Sequence, residues 1–236
     1  GTTWGPVTVG TLGRYKALNI LAKQMNKLNI FISGQKKFGE EVLRLCIGMG
    51  HNVVGVCCPI TDRYILPLAA LHSIPVIPSG TLNYETMPCG VDIGITAHSF
   101  DYIGKKTRYK PKIGWIGYHP SLLPRHRGRS SIDRALRFRD IVTGGTVYWL
   151  NSGIDRGDIE RQEWIWLDHS KTAEQVWRLE LLPLGLKLLR GAVTDISRNK
   201  INKVRQDPRF STFEPGLHEI RDIYRPDLLM LNGPRK

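Results

Sequence analysis

The sequence predicts an α/β fold, a doubly wound and mostly parallel sheet, on three observations. Short apolar runs rich in β-branched residues recur at 28–34 (LNIFISG), 52–58 (NVVGVCC) and 91–97 (VDIGITA), each of a length suited to a buried strand. Segments with helical spacing lie between such runs. The first run ends at Ser33-Gly34 and leads into a helix, the β-loop-α-β opening of a doubly wound sheet.

The elements follow in order. Residues 38–50 place Val42, Leu43, Leu45, Cys46 and Met49 near helical spacing, with Gly50 as the stop. The stretch 64–72 suits a short helix with Pro67 in its first turn. Residues 74–78 and 91–97 read as strands, and 113–118 form a further apolar run halted by His119-Pro120. A helix around 131–138 precedes a strand at 145–150. A turn over Asn151–Gly157 leads to an extended segment at 159–167. The longest helix covers 172–193, with a kink expected at Pro183. Trp149, Trp164, Trp166 and Trp177 are expected in the core. The resulting Rossmann-like domain spans 25–203. It is preceded by an extension or appended remnant over 1–24 and followed by an irregular basic tail over 204–236 that wraps the domain.

Composition excludes some classes. With 236 residues, 41% hydrophobic and 23% charged, the balance is that of an ordinary globular chain. No apolar run approaches the roughly 20 residues that a membrane-spanning helix needs. Cys46, Cys57, Cys58 and Cys89 lack metal-ligand spacing, so no metal is expected, and reduced cytoplasmic thiols are the reading. The formal charge of +13 gathers in runs at Arg14–Lys23, Lys105–Lys112 and Arg125–Arg139. Such runs attract polyanions, including phosphorylated small molecules or nucleic acid, and no nucleic-acid motif accompanies them. The alternative is a solvated basic surface.

Two stretches carry chemistry: 118–128 (YHPSLLPRHRG) and 143–159 (TGGTVYWLNSGIDRGDI). The loop at 33–39 (SGQKKFG) matches neither dinucleotide nor phosphate-loop glycine spacing. His119 ends a buried strand, at the carboxyl edge where open α/β sheets bind ligands. Asp155 sits in a tight turn between Gly153 and Gly157, and adjacent strands should bring both turns to one edge. Acyl transfer is the chemistry such a pair can share. An imidazolium stabilises the oxyanion formed when a carbonyl carbon is attacked, and a carboxylate can accept the nucleophile's proton. Both residues could instead be structural turn formers. Ser121 is expected to fix its turn through backbone bonds rather than act as a nucleophile. Arg125, Arg127 and Arg129 could hold an anion, and His98 and His126 are expected in hydrogen-bonded or solvent-facing roles.

These segments resemble the 10-formyltetrahydrofolate-dependent formyltransferase family. Its H-x-S-L-L-P signature stands here as His119-Pro120-Ser121-Leu122-Leu123-Pro124, and its D-x-G-x-I turn as Asp155-Arg156-Gly157-Asp158-Ile159. The likeness is greatest to the hydrolase domain of 10-formyltetrahydrofolate dehydrogenase, through residues 118–128, Gly34-Gln35, Phe38-Gly39 and Leu182–Lys187. The resemblance implies a formyltransferase-type fold, catalysis by His119 and Asp155, and 10-formyltetrahydrofolate as formyl donor. It also implies a folate site near Ala97, His98, Tyr102, Ser121, Asn151 and Gly153. The family's side-chain amide two positions before the histidine is missing, because Gly117 stands there. The acceptor is then an amine, anionic or nucleotide-type given the charge. Alternatives are water, with formate released, or a catalytically inactive relative that binds nucleic acid.

Overall fold

The computed structural model describes residues 25–213, so the segments 1–24 and 214–236 lie outside the described residues. In chain order the first half comprises β1 (Asn29–Gly34), α1 (Lys36–Gly48), β2 (Asn52–Cys58), α2 (Ile65–Leu71), β3 (Val76–Pro78) and β4 (Ile93–Ala97). The second half comprises α3 (Lys105–Arg108), β5 (Gly114–His119), α4 (Ser131–Arg137), β6 (Val142–Trp149), β7 (Ile159–Trp166), α5 (Ala173–Val176) and α6 (Leu182–Ser197). A π turn, Trp177–Leu181, joins α5 to α6. The expected helix over 172–193 is thus one helical run with an irregular turn just before Pro183. Proline has no N–H to donate, so the preceding turn loses its regular α-helical bond.

The seven strands lie in one sheet in the order β3-β2-β1-β4-β5-β6-β7. β3, β2, β1, β4 and β5 run parallel, whereas β6 and β7 join antiparallel. Strand alternation sorts side chains onto two faces. Ile30, Ile32, Ile93, Ile95, Ile116 and Val147 pack under α1 and α6, and this face holds the main core. The opposite face carries Phe31, Cys57, Trp115 and Ile103 in a smaller cluster. The Trp115 indole lies over Gly94, where any side chain would collide with it, and its Nε1 donates to the Thr107 carbonyl at 3.2 Å. Toward the carboxyl ends of β1, β4 and β5, that smaller cluster gives way to Ser33, Thr96, Gly117 and His119.

Two tryptophan expectations fail. Trp164 and Trp166 are 54% and 67% exposed, their rings edge-to-face at 5.2 Å on edge strand β7. Trp149 is buried and Trp177 is half-buried against the core, as expected. Among the described residues no helix is long and apolar enough to cross a membrane.

Candidate active site

His119 is the last residue of β5, and the chain turns at once through a Ser121 N–H to His119 carbonyl bond of 2.9 Å. The turn is rigid because its polar groups are satisfied internally. Ser121 Oγ donates to the Arg125 carbonyl at 2.7 Å, and the Ser121 carbonyl accepts from Thr146 Oγ1 at 2.7 Å. Gln162 Nε2 then donates to both Thr146 Oγ1 and the Leu123 carbonyl. The SLLP motif is therefore stapled to β6 and β7, and Ser121 serves the turn as expected.

The imidazole of His119 is buried, and Nε2 lies 2.7 Å from the His126 carbonyl oxygen. A carbonyl only accepts, so Nε2 carries the proton and Nδ1 is left as the chemically available atom. Nδ1 faces Asp155 Oδ2 at 3.6 Å. That separation is too long for a direct hydrogen bond.

The structure corrects how the pair comes together. β6 is antiparallel to β5, pairing Ile116 with Trp149 and His119 with Thr146. The turn after β6 therefore leaves from the opposite edge of the sheet, and residues 150–158 arch back across the face to deliver Asp155. Asp155 has φ of 51°, a left-handed conformation that non-glycine residues adopt at a cost of about 1–2 kcal/mol. Gln206 holds this turn: its Nε2 donates to the carbonyls of Asp155 at 2.9 Å and Gly157 at 2.7 Å. Its Oε1 accepts from Arg127 Nε at 3.1 Å and Nη2 at 2.7 Å. The carboxylate of Asp155 is fixed in turn. Gly128 N–H donates to Oδ2 at 2.8 Å and the Tyr148 hydroxyl to Oδ1 at 2.7 Å.

The other site residues expected from sequence fall in distinct places. Ala97 ends β4, buried, its carbonyl accepting from Gln35 N–H at 3.2 Å. His98 takes a left-handed φ of 58° and packs edge-on against Phe100 and Trp177. Burial, with Lys36 nearby, pushes its pKa down and favours the neutral ring. Tyr102 is 82% exposed on the same loop. Asn151 caps the arch, its Oδ1 accepting from Gly153 N–H at 2.9 Å. The loop after β4 is drawn together by Asp101, which accepts from Ser79 Oγ at 2.9 Å and Gly80 N–H at 2.6 Å.

The arginines behave differently from a free anion clamp. Arg125 pairs with Asp140, which also accepts from His126 Nε2 at 2.6 Å. Arg127 is buried on Gln206. Burial and then Arg156 lower its pKa, while Asp155 pulls it back up. Arg129 stacks over Phe100 at 5.5 Å. Gln206, Tyr148 and Thr146 were not singled out from sequence, and no motif marks them.

Comparison with known proteins shows the family. The family model described as Formyl transferase matches residues 26–179. Over 203 residues the chain is 32% identical to the mitochondrial 10-formyltetrahydrofolate dehydrogenase of Mus musculus, covering 80% of this chain but 22% of that protein. It is 28% identical over 203 residues to the methionyl-tRNA formyltransferase of Thermotoga maritima, covering 80% of this chain and 64% of the other. An N-formyltransferase from Helicobacter canadensis, solved with folinic acid and dTDP-3-aminofucose, superposes with a TM-score of 0.67 at 18% identity, covering 82% of this chain and 72% of that one. That last likeness concerns the fold, which is the formyltransferase-type, Rossmann-like sheet predicted from the sequence. The chain belongs to the formyl transferase family.

Proposed function

We propose that this chain takes the formyl group of 10-formyltetrahydrofolate and passes it to an amine, with His119 and Asp155 as the catalytic pair. The observation that carries the reading is the His119 ring. Its Nε2 is committed to the His126 carbonyl, and its Nδ1 points to Asp155 across a gap of 3.6 Å. A protonated Nδ1 placed there meets the negative charge that develops on the formyl oxygen, and Asp155 accepts the proton that the attacking amine gives up. The bond from the formyl carbon to N10 of the folate breaks, the bond to the acceptor nitrogen forms, and N10 leaves with the proton that Asp155 took from the amine. Backbone groups of 97–102 and 151–155 hold the folate, in line with the folinic acid named for the Helicobacter structure and the folate reaction named for the mouse relative. The charge of +13 favours an anionic or nucleotide-type acceptor.

Gly117 favours a second reading, in which water takes the amine's place and formate is released. Incubation with 10-formyltetrahydrofolate, with and without candidate amines, separates the two. Formate without an amine marks hydrolysis, and folate product that depends on the amine marks transfer. His119→Ala and Asp155→Asn should each lower turnover by roughly 10²- to 10⁴-fold with the fold retained. Turnover at the wild-type rate in either variant would remove that residue from the site.

A further inference from the structure

Gly117 lies on the face that carries His119, where Thr96 Oγ1 and Leu150 Cδ1 crowd the place of a side chain and the Tyr148 ring packs on the backbone. β6 sets Tyr148 directly opposite Gly117, both on the face that carries His119. The Tyr148 ring lies against the glycine, with Cε1 only 3.4 Å from where a Cβ at 117 would stand. The ladder between β6 and β7 slips by one residue beside Tyr148, with the extra residue, Glu160, on β7, while the register of Tyr148 with β5 is unbroken. The phenol ends 2.7 Å from Asp155 Oδ1.

We propose that Tyr148 is a positioning residue for the formyl-transfer step: resting on Gly117, it holds the Asp155 carboxylate so that Oδ2 faces His119 Nδ1. The inference rests on the catalytic pair assigned above. Two hydrogen bonds are needed to fix the orientation of a carboxylate, one on each oxygen. Gly128 N–H supplies one, on Oδ2, and Tyr148 supplies the other, on Oδ1. Burial first, and the charge of Asp155 second, raise the phenol's pKa well above its usual value, so it stays a proton-bearing donor throughout the working range. The phenol gives Asp155 a neutral hydrogen bond and competes for no proton in the reaction. Gly117 and Tyr148 are then one device. The ring packs on the glycine at van der Waals range, while a side chain at 117 would strike Thr96 Oγ1 first and Leu150 Cδ1 next.

The test is Tyr148→Phe, which keeps the ring on Gly117 and removes only the hydroxyl. Formyl release from 10-formyltetrahydrofolate should fall about tenfold to a hundredfold in kcat, while KM for the folate and binding of unreactive 5-formyltetrahydrofolate stay within about twofold. A hydroxyl with a merely structural role would shift the melting temperature or KM and leave kcat alone. If the wild-type protein turns over and Tyr148→Phe matches its kcat within about twofold, the positioning role is wrong and the catalytic pair stands. A wild-type protein that releases no formyl group from the folate, with or without amines, overturns the pair and this proposal together.

Discussion

Replacing Gln206 should damage both stability and chemistry, because one buried amide makes four hydrogen bonds and joins three groups. Its Nε2 spans the carbonyls of Asp155 and Gly157, and its Oε1 takes two hydrogen bonds from Arg127, a guanidinium only 7% exposed. Gln206→Ala removes all four bonds. The two to a charged donor are worth about 1.5–3 kcal/mol each when made, and water admitted to the new cavity restores part of that. A net loss of about 3 kcal/mol is expected, which for a domain of this size lowers the melting temperature by roughly 6–12 °C. The Asp155 turn, left-handed and no longer clamped, should wander by enough to reduce kcat about tenfold or more. Gln206→Glu sharpens the reasoning. It offers Arg127 a countercharge, but a carboxylate cannot donate to two carbonyls. Urea and thermal unfolding followed by tryptophan fluorescence, paired with formyl release from 10-formyltetrahydrofolate, measure both effects. A shift below about 2 °C in Gln206→Ala would refute the clamp. A Gln206→Glu variant more stable than wild type would show that pairing Arg127 outweighs the bonds to the arch.

Gly117→Asn should not restore a conventional transferase site. Its Cβ would collide with Thr96 Oγ1 and stand 3.1 Å from Leu150 Cδ1, so the single variant should lose about 1–3 kcal/mol and gain no amine-dependent activity. Such activity should rise only in Gly117→Asn/Thr96→Ala, as read by acceptor-dependent product, and a gain in the single variant would contradict the crowding. Asp140 gives a pH signature. Burial pushes its carboxyl up, but the His126 and Arg125 bonds outweigh burial and hold it at about 2, below its usual 3.8. A carboxyl depressed in the folded state contributes stability above its unfolded pKa and loses it as pH falls toward the folded value. Urea midpoints should therefore drop between about pH 4 and pH 2, and Asp140→Asn should be less stable near neutrality with a flatter acid limb. An unchanged acid limb in that variant would move the titration to other groups.

Much of the sheet was legible because its signals are local. β1, β2 and β4 are buried on both faces and so read as plain apolar runs, and α1 declares its buried side through Val42, Leu43 and Cys46. His119 and Asp155, the pair proposed to be catalytic, were legible through two motifs. What escaped depends on distant partners. Trp164 and Trp166 look like core aromatics, yet they sit on an edge strand, and their exposure follows from what does not cover that face among the described residues. Tyr148 becomes meaningful only once β5 and β6 are in register, since nothing in 145–150 distinguishes it from a strand tyrosine. Gln206 lies 51 residues from Asp155 and acts on its backbone, a contact that leaves no local pattern. Arg125 and Arg127 read as part of a charge run, but Asp140 pairs with the first and Gln206 holds the second buried.

The reversal of direction between β5 and β6 divides the site into two mechanical parts. His119 ends a strand bonded on both sides and inherits the stiffness of the whole sheet. Asp155 hangs from an arch whose shape depends on side chains of Tyr148 and Gln206 rather than on a strand ladder. The gap between the two residues is therefore set by the softer partner. A binding partner or substitution that strains the arch would retune the distance across the site and leave the sheet undisturbed, so the proposed chemistry would be adjusted from the carboxylate side alone.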